Sequence, residues 1–331
     1  MATSPAETLR QLTGPGNLWS YSNLEKWAAC PYQWYGRYVL KIPDIPSAPL
    51  VQGILCHSAL ADAIQHKKPP ESWNVAIQRA RRQEKHQGLV PTSQDDTLAD
   101  WCATAWAQRP QAPQEMAEAA WLAPIALRPE APRPTVDLTP AETILDSAVP
   151  YAWFKAQDAV RAFGVDAIYA QPDWVGLNGR HLHVVDWKTS QVRTGQTVHQ
   201  VAERYQGQVA LYTLNAQRRF QPEHVTTSIA LLPAKTTVHL PITPQTLSAV
   251  ARTTATRIWA IKQAAAIGVT AFPKQVGEAC RYCALAQWAG ACPEGTAHRQ
   301  TQGWDRYDAQ NREQRLQAGV AWAGDKPGLL S

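Results

Sequence analysis

Three groups of residues in this chain have the types and spacing to do chemistry. The first is Val184-Val185-Asp186-Trp187-Lys188-Thr189. Side chains at i and i+2 of a strand share one face, roughly 6–7 Å apart, so Asp186 and Lys188 offer a carboxylate and an ammonium to one centre. Asp166, twenty residues upstream, supplies a second acid. Antiparallel pairing of its strand with the next would bring both carboxylates to one edge. Two such acids suit a hard divalent cation such as magnesium, which can activate water and stabilise charge on a phosphate. Lys188 would then orient or deprotonate the attacking water. The plain alternative is a strand-end ion pair.

The second group comes from helices. His57 lies near the start of an apolar helix in Gly53-Ile54-Leu55-Cys56-His57. Val201, Tyr205, Gln208 and Tyr212 fall on one helical stripe, and a glutamine inside that stripe needs a partner or faces a site. The third group is four of the six cysteines: Cys30, then Cys280-x-x-Cys283 and Cys292. Four thiolates suit tetrahedral zinc or an iron–sulfur cluster. Their one-plus-three distribution leans toward a cluster that staples the N-terminal helix to the C-terminal segment. Cys56 and Cys102 read as inert buried thiols in apolar helices.

The elements that must position these groups fall into segments. Residues 1–19 carry turn formers and read as a flexible start. Residues 20–70 hold a helix over 20–40, with Ser20 or Ser22 as N-cap and Glu25 as capping-box partner, and a second helix over 51–65. Residues 71–140 read as an insertion, helical to 123 and then proline-rich. Residues 141–270 read as the catalytic core: strands at 143–154, 160–169 and 180–189, a helix over 198–220, strands at 226–232 and 237–240, and a helix over 246–267. Gln171-Pro172-Asp173 and Leu177-Asn178-Gly179 read as turns between strands. The cysteine segment spans 271–295, and 296–331 reads as a polar tail. Strands followed by helix and hairpin indicate a mixed-sheet α/β domain.

Composition narrows the function classes. An apolar fraction of 45% is ample for a core. The chain has no run of ~18 apolar residues and no charged-then-apolar leader, so the expectation is a cytosolic (cytoplasmic) protein without a membrane span. A net charge of +5 is compatible with a polyanionic partner. Of the fourteen tryptophans, most read as core filler, with some available to stack on bases. No Gly-x-x-x-x-Gly-Lys-Ser/Thr loop is present, so any unwinding of a duplex would need a separate helicase.

Together these residues resemble the RecB-like nucleases of the PD-(D/E)xK superfamily. Ser20-Tyr21-Ser22-Asn23-Leu24-Glu25 and Cys30-Pro31-Tyr32-Gln33-Trp34-Tyr35 look like the family's opening. Gly53 to His57 resembles its histidine motif, Gly164-Val165-Asp166 its first-acid motif, and Val185 to Thr189 its Asp/Glu-x-Lys motif. Gln208-x-x-x-Tyr212 resembles its Gln-x-x-x-Tyr motif, and the cysteines match the iron–sulfur branch, which includes the AddB nuclease domain and CRISPR adaptation nucleases. The resemblance implies an α/β, restriction-endonuclease-like core, a mixed sheet flanked by helices, with a helical insertion and an iron–sulfur staple. It implies a DNA nuclease, an exonuclease on single strands or ends, in repair, recombination or CRISPR and phage DNA processing. His57, Asp166, Asp186 and the Trp187 carbonyl would hold Mg2+ or Mn2+, with Asp166, Asp186 and Lys188 catalytic. Gln208 and Tyr212 would support the site and touch DNA, and Cys30, Cys280, Cys283 and Cys292 would hold a structural 4Fe–4S cluster. The rival reading is a DNA-binding, non-cleaving component of a repair or recombination complex.

Overall fold

A computed structural model of the chain describes residues 4–117, 121–127, 136–137, 161, 166–287 and 291–322. The strand expected at 143–154 lies outside the described residues. Helices α1 (Pro5–Thr13), α2 (Tyr21–Ala29), α3 (Pro31–Tyr38), α4 (Ala48–Gln65), α5 (Trp73–Gln83) and α6 (Asp95–Gln108) form the first part of the chain, with a short strand β1 (Leu18–Ser20) ahead of α2. Ser20 is the N-cap, accepting the Asn23 N–H at 3.3 Å. The expected single helix over 20–40 is two helices, because Cys30 is extended, with φ −166° and ψ 109°, and Pro31 starts the next helix.

The strands form two sheets. One has the order β1-β5-β3-β4 and the other β2-β6-β7-β8-β9. Their ranges are β2 (Gln114–Ala117), β3 (Trp121–Leu127), β4 (Val136–Asp137), β5 (Asp166–Ala170), β6 (Trp174–Asn178), β7 (His181–Lys188), β8 (His224–Leu231) and β9 (Thr236–His239). β6 and β7 form a hairpin across Gly179, whose φ of +58° is left-handed. β7 and β8 are parallel, so the chain must cross over between them. It does so through helices α7 (Val198–Glu203) and α8 (Gln206–Phe220). A long helix α9 (Pro244–Ile267) follows β9. The last helices are α10 (Pro293–Thr301) and α11 (Trp304–Gln317).

Three expectations change here. Residues 174–178 are a strand rather than turn flanks, since Trp174 and Val175 are fully buried and pair with Val185 and Val184. Residues 114–117 and 121–127 are strands in the stretch expected to be helical to 123 and proline-rich beyond. That same stretch is not set apart from the core: β2 pairs with β6, β3 pairs with β5, and α5 and α6 pack on α4 in one cluster with Trp174 and Trp187. Long-range burial decides these cases, which local propensity does not see.

The core reading of the tryptophans holds for Trp19, Trp34, Trp174 and Trp187, all under 2% exposed. Trp34 stacks on Phe272 at 6.0 Å and donates its indole N–H to the buried Asn23 side chain at 3.0 Å. Burying a large apolar side chain contributes roughly 1.5–3 kcal/mol, so this cluster locks α2 and α3 onto the segment after α9. Residues 296–322 also fold back: Val320 and Trp322 are buried, and the Trp322 indole donates to the Pro43 carbonyl at 3.4 Å.

Candidate active site

The end of β7 is the place where separate elements bring polar groups together. Leu182, Val184, Asp186 and Lys188 alternate onto one face, and Leu182 and Val184 pack there against Tyr212 and Ala216 of α8. Val185 and Trp187 occupy the opposite face, toward α4 and α6. Asp186 is therefore carried into the core, 1% exposed, by a strand that is apolar on both faces.

The second acid at this place is Asp173, not Asp166. The β6–β7 register pairs Trp174 with Val185, and extending it by one residue sets Asp173 opposite Asp186. Directly opposed residues of an antiparallel pair emerge on the same face. Asp173 Oδ2 accepts the Trp187 backbone N–H at 2.6 Å. Asp166 sits in the other sheet, where it pairs with Ile125 of β3. Its carboxylate accepts the Asn17 N–H at 2.9 Å and pairs with Lys262 at 2.8 Å. That buried pair ties β5 to α9 and leaves Asp166 out of the cluster. The strand that pairs antiparallel with β7 is β6, whereas the strand of Asp166 pairs with β1 and β3.

His57 completes the group from α4. Gly53, one turn earlier, lets the helix approach the strand end: a Cβ there would stand 3.2 Å from Thr189 Oγ1. His57 Nε2 lies 3.0 Å from the Trp187 carbonyl oxygen and Nδ1 lies 3.2 Å from Asp173 Oδ1. An imidazolium donates to both. Burial works against that charge, but the Asp173 carboxylate outweighs it and holds His57 at about 9. Burial likewise works to raise Asp173, and His57 with Lys188 more than offsets it, so Asp173 stays ionised below the usual carboxylate range. Asp186 moves the other way, up to about 7: burial raises it, Lys188 opposes, and Asp173 adds repulsion. Burial also disfavours the Lys188 ammonium, yet Asp186 and Asp173 together raise its pKa. Lys188 and Asp186 are in direct ion-pair contact.

Helix α8 closes the same face. Gln208 donates to the Tyr212 hydroxyl at 2.6 Å, one turn apart on the helix. Burial raises the Tyr212 pKa, reinforced by the charges of Asp186 and then Asp173. Gly207 stands where α8 begins, and a Cβ there would come within 2.8 Å of the Tyr21 hydroxyl, so the ring would have to shift. Glu25, expected in a capping box, instead pairs with Arg257 of α9.

The donor set suits a divalent cation. Two carboxylates face each other out of water, and burial together with the charge of Asp173 raises Asp186 against the pull of Lys188, its direct ion-pair partner. A cation between them would remove that repulsion. In the ion-free protein the His57 and Lys188 charges balance the two acids. Among the described residues no three His, Cys, Asp or Glu side chains are gathered tightly enough to grip a single ion.

Cys30, Cys280, Cys283 and Cys292 line one pocket together with Lys274 and Gln275. All are free thiols and buried. Cys30 Sγ accepts the backbone N–H groups of Gln33 and Gln275, both at 3.4 Å. Burial pushes the Cys283 thiol up to about 11, while the Ala286 and Leu285 amides favour its thiolate. A Cβ at Gly295 would stand 3.0 Å from Cys292 Sγ and 3.6 Å from Cys280 Sγ, so glycine keeps space open between these sulfurs. Buried thiols facing amide donors fit thiolate ligands. Cys56 and Cys102 are elsewhere, in the apolar core.

The family model described as the PD-(D/E)XK nuclease superfamily matches residues 18–292. The chain belongs to that superfamily. Its mixed sheet flanked by helices fits a PD-(D/E)XK nuclease, a class of phosphodiester-hydrolysing enzymes that use divalent metals such as Mg2+ or Mn2+. No curated protein matches the chain. The pattern in the superfamily's description is spelled out here by Pro172-Asp173 and then Asp186-Trp187-Lys188. The sequence signal for Asp173 was therefore present, as a Pro-Asp dipeptide thirteen positions ahead of Asp186, but it resembles a turn.

Proposed function

We propose that this protein is a metal-dependent DNA nuclease whose site is the end of β7. The observation that carries this reading is the convergence of Asp173, Asp186, Lys188, His57 and the Trp187 carbonyl from three separate elements. Asp173, Asp186 and the Trp187 carbonyl would hold Mg2+ or Mn2+, and His57 would join them once it gives up its proton. The bound cation would supply a more acidic water and charge neutralisation at the phosphate. Lys188 holds a proton at Nζ beside Asp186, where it can orient the attacking water and stabilise the charge that develops. Gln208 and Tyr212 brace the face on which the acids lie.

Action at DNA ends or on single strands, in repair, recombination or CRISPR and phage DNA processing, follows the RecB-like resemblance. So does a 4Fe–4S cluster on Cys30, Cys280, Cys283 and Cys292, in a structural role. The four thiols and the amides facing them support that cluster. It would join α2 and α3 to the segment before α10, since Gly36 of α3 already lies against Leu285 so closely that a Cβ would stand 2.6 Å from it.

The test uses anaerobically purified protein and labelled single- and double-stranded DNA, with Mg2+, Mn2+ or neither. Cation-dependent products are expected from the wild type. Asp186→Ala and Lys188→Ala should each lose cleavage and keep DNA binding. Binding without products by the wild type would select a non-cleaving role, and activity retained in both variants would overturn the site.

A further inference from the structure

Lys188 has a second neighbour that none of the motifs includes. Its ammonium lies 4.9 Å from the ring centroid of Tyr205, within the range of a cation–π contact. Tyr205 is the residue just before α8, and it packs against the cluster of Val201, Ala202 and Val209. Its hydroxyl lies 2.5 Å from Ser190 Oγ. Ser190 is two residues beyond Lys188, so the strand end holds both the ammonium and the group that anchors the ring. The ring is thus pinned at its rim by Ser190 and at its body by the core, with the lysine over it.

We propose that Tyr205 is a positioning residue that holds Lys188 in place when Asp186 is occupied by a cation. This rests on the nuclease reading of the site. A four-carbon lysine side chain is flexible and must be aimed by its partners. Asp186 is the ion-pair partner seen here, but a carboxylate that binds a divalent cation has less charge left for the ammonium, and the cation itself repels it. The face of a neutral aromatic ring is not drawn away in the same manner. It attracts the ammonium through its quadrupole, and apolar walls strengthen that attraction. Tyr205 therefore supplies the part of the Lys188 environment that persists through cation binding.

The experiment compares Tyr205→Phe and Tyr205→Leu with the wild type. Phenylalanine keeps the ring and loses only the Ser190 contact, so kcat should stay within about threefold of wild type. Leucine removes the ring, and kcat measured below the melting temperature should fall roughly 10- to 30-fold with KM for DNA unchanged. Full kcat in Tyr205→Leu, a change in KM alone, or an equal loss in Tyr205→Phe would each overturn the proposal. A second readout needs no activity: the Lys188 Cε methylene signal in [13C]lysine-labelled protein, assigned with Lys188→Arg. It should carry an upfield ring-current shift in the wild type and Tyr205→Phe, and lose it in Tyr205→Leu. An unshifted wild-type signal also overturns the proposal. A wild type that cleaves no DNA defeats the nuclease reading instead, and the lysine signal still decides whether Tyr205 holds Lys188.

Discussion

Exchanging each of the two candidate acids for its amide separates their roles, because Asp173 and Asp166 are both buried and both paired, but to different partners. Asp173→Asn keeps the volume and an oxygen able to accept the Trp187 N–H now made at 2.6 Å. It also removes the charge that repels Asp186. The same change takes away the charge that keeps His57 protonated, so its stability cost in the absence of cation should be about 1.5–3 kcal/mol, the worth of a hydrogen bond to a charged group, partly offset by the relief at Asp186. The cation, however, loses one of its two carboxylates, and cleavage should fall on the order of 10³-fold, or about 4 kcal/mol at 1.36 kcal/mol per decade. Asp166→Asn should cost stability as well but spare cleavage, because Asp166 lies outside the cluster. It breaks a pair whose side chains are 9% and 6% exposed, and losing one partner of a buried pair costs roughly 3–5 kcal/mol. The low end, about 3 kcal/mol, applies because Lys262 keeps the Gly14 carbonyl and the amide can still accept from Asn17. Thermal melts with and without Mn2+, together with cleavage of labelled DNA below the melting temperature, read both effects. Loss of cleavage with unchanged stability in Asp166→Asn, alongside an active Asp173→Asn, would refute the assignment.

Protons and cation should compete for the strand end. Asp186, raised to about 7, favours its neutral form in the folded state, so in ion-free protein its contribution to stability falls as pH rises from the ordinary aspartate range through 7. His57, raised to about 9, contributes stability present below its ordinary 6.5 and lost as pH rises through 9. A divalent cation must displace both protons, so its affinity should climb by about tenfold per pH unit for each proton released, and the Mn2+-induced rise in melting temperature should grow from pH 6 to pH 9. A cation effect that is flat across that range contradicts this linkage. Cys30→Ser removes the one thiol that α2 and α3 bring to the pocket. Anaerobically purified variant should lose acid-labile sulfide and iron and melt at lower temperature, since a group bound only to the folded state stabilises it. A colourless wild type containing zinc instead would rule out the cluster.

Much of the site was legible in local sequence because its geometry is local. Asp186 and Lys188 share a face through the two-residue period of any strand, and Gln208 and Tyr212 meet through the one-turn spacing of any helix. The Ser20 cap follows from a similarly short-range rule, whereas the break of the expected 20–40 helix at Pro31 was missed. The four cysteines announced a joint between chain ends through their residue type alone, and the fold does bring those four thiols to one pocket.

Which acid faces Asp186 was decided only by tertiary structure. Asp166 and Asp173 both precede Asp186 within a few turns of chain, and Asp166 lies in the more strand-like sequence. The choice depends on which strand pairs with β7, and that is set by the burial of Trp174 and Val175 against α4 and α8, contacts far apart in sequence. Asp166 instead meets Lys262 from α9, 96 positions away. Strand pairing is a non-local choice driven by burial, so a Pro-Asp dipeptide that looks like a turn becomes the cross-strand neighbour of Asp186 only once the sheet has formed.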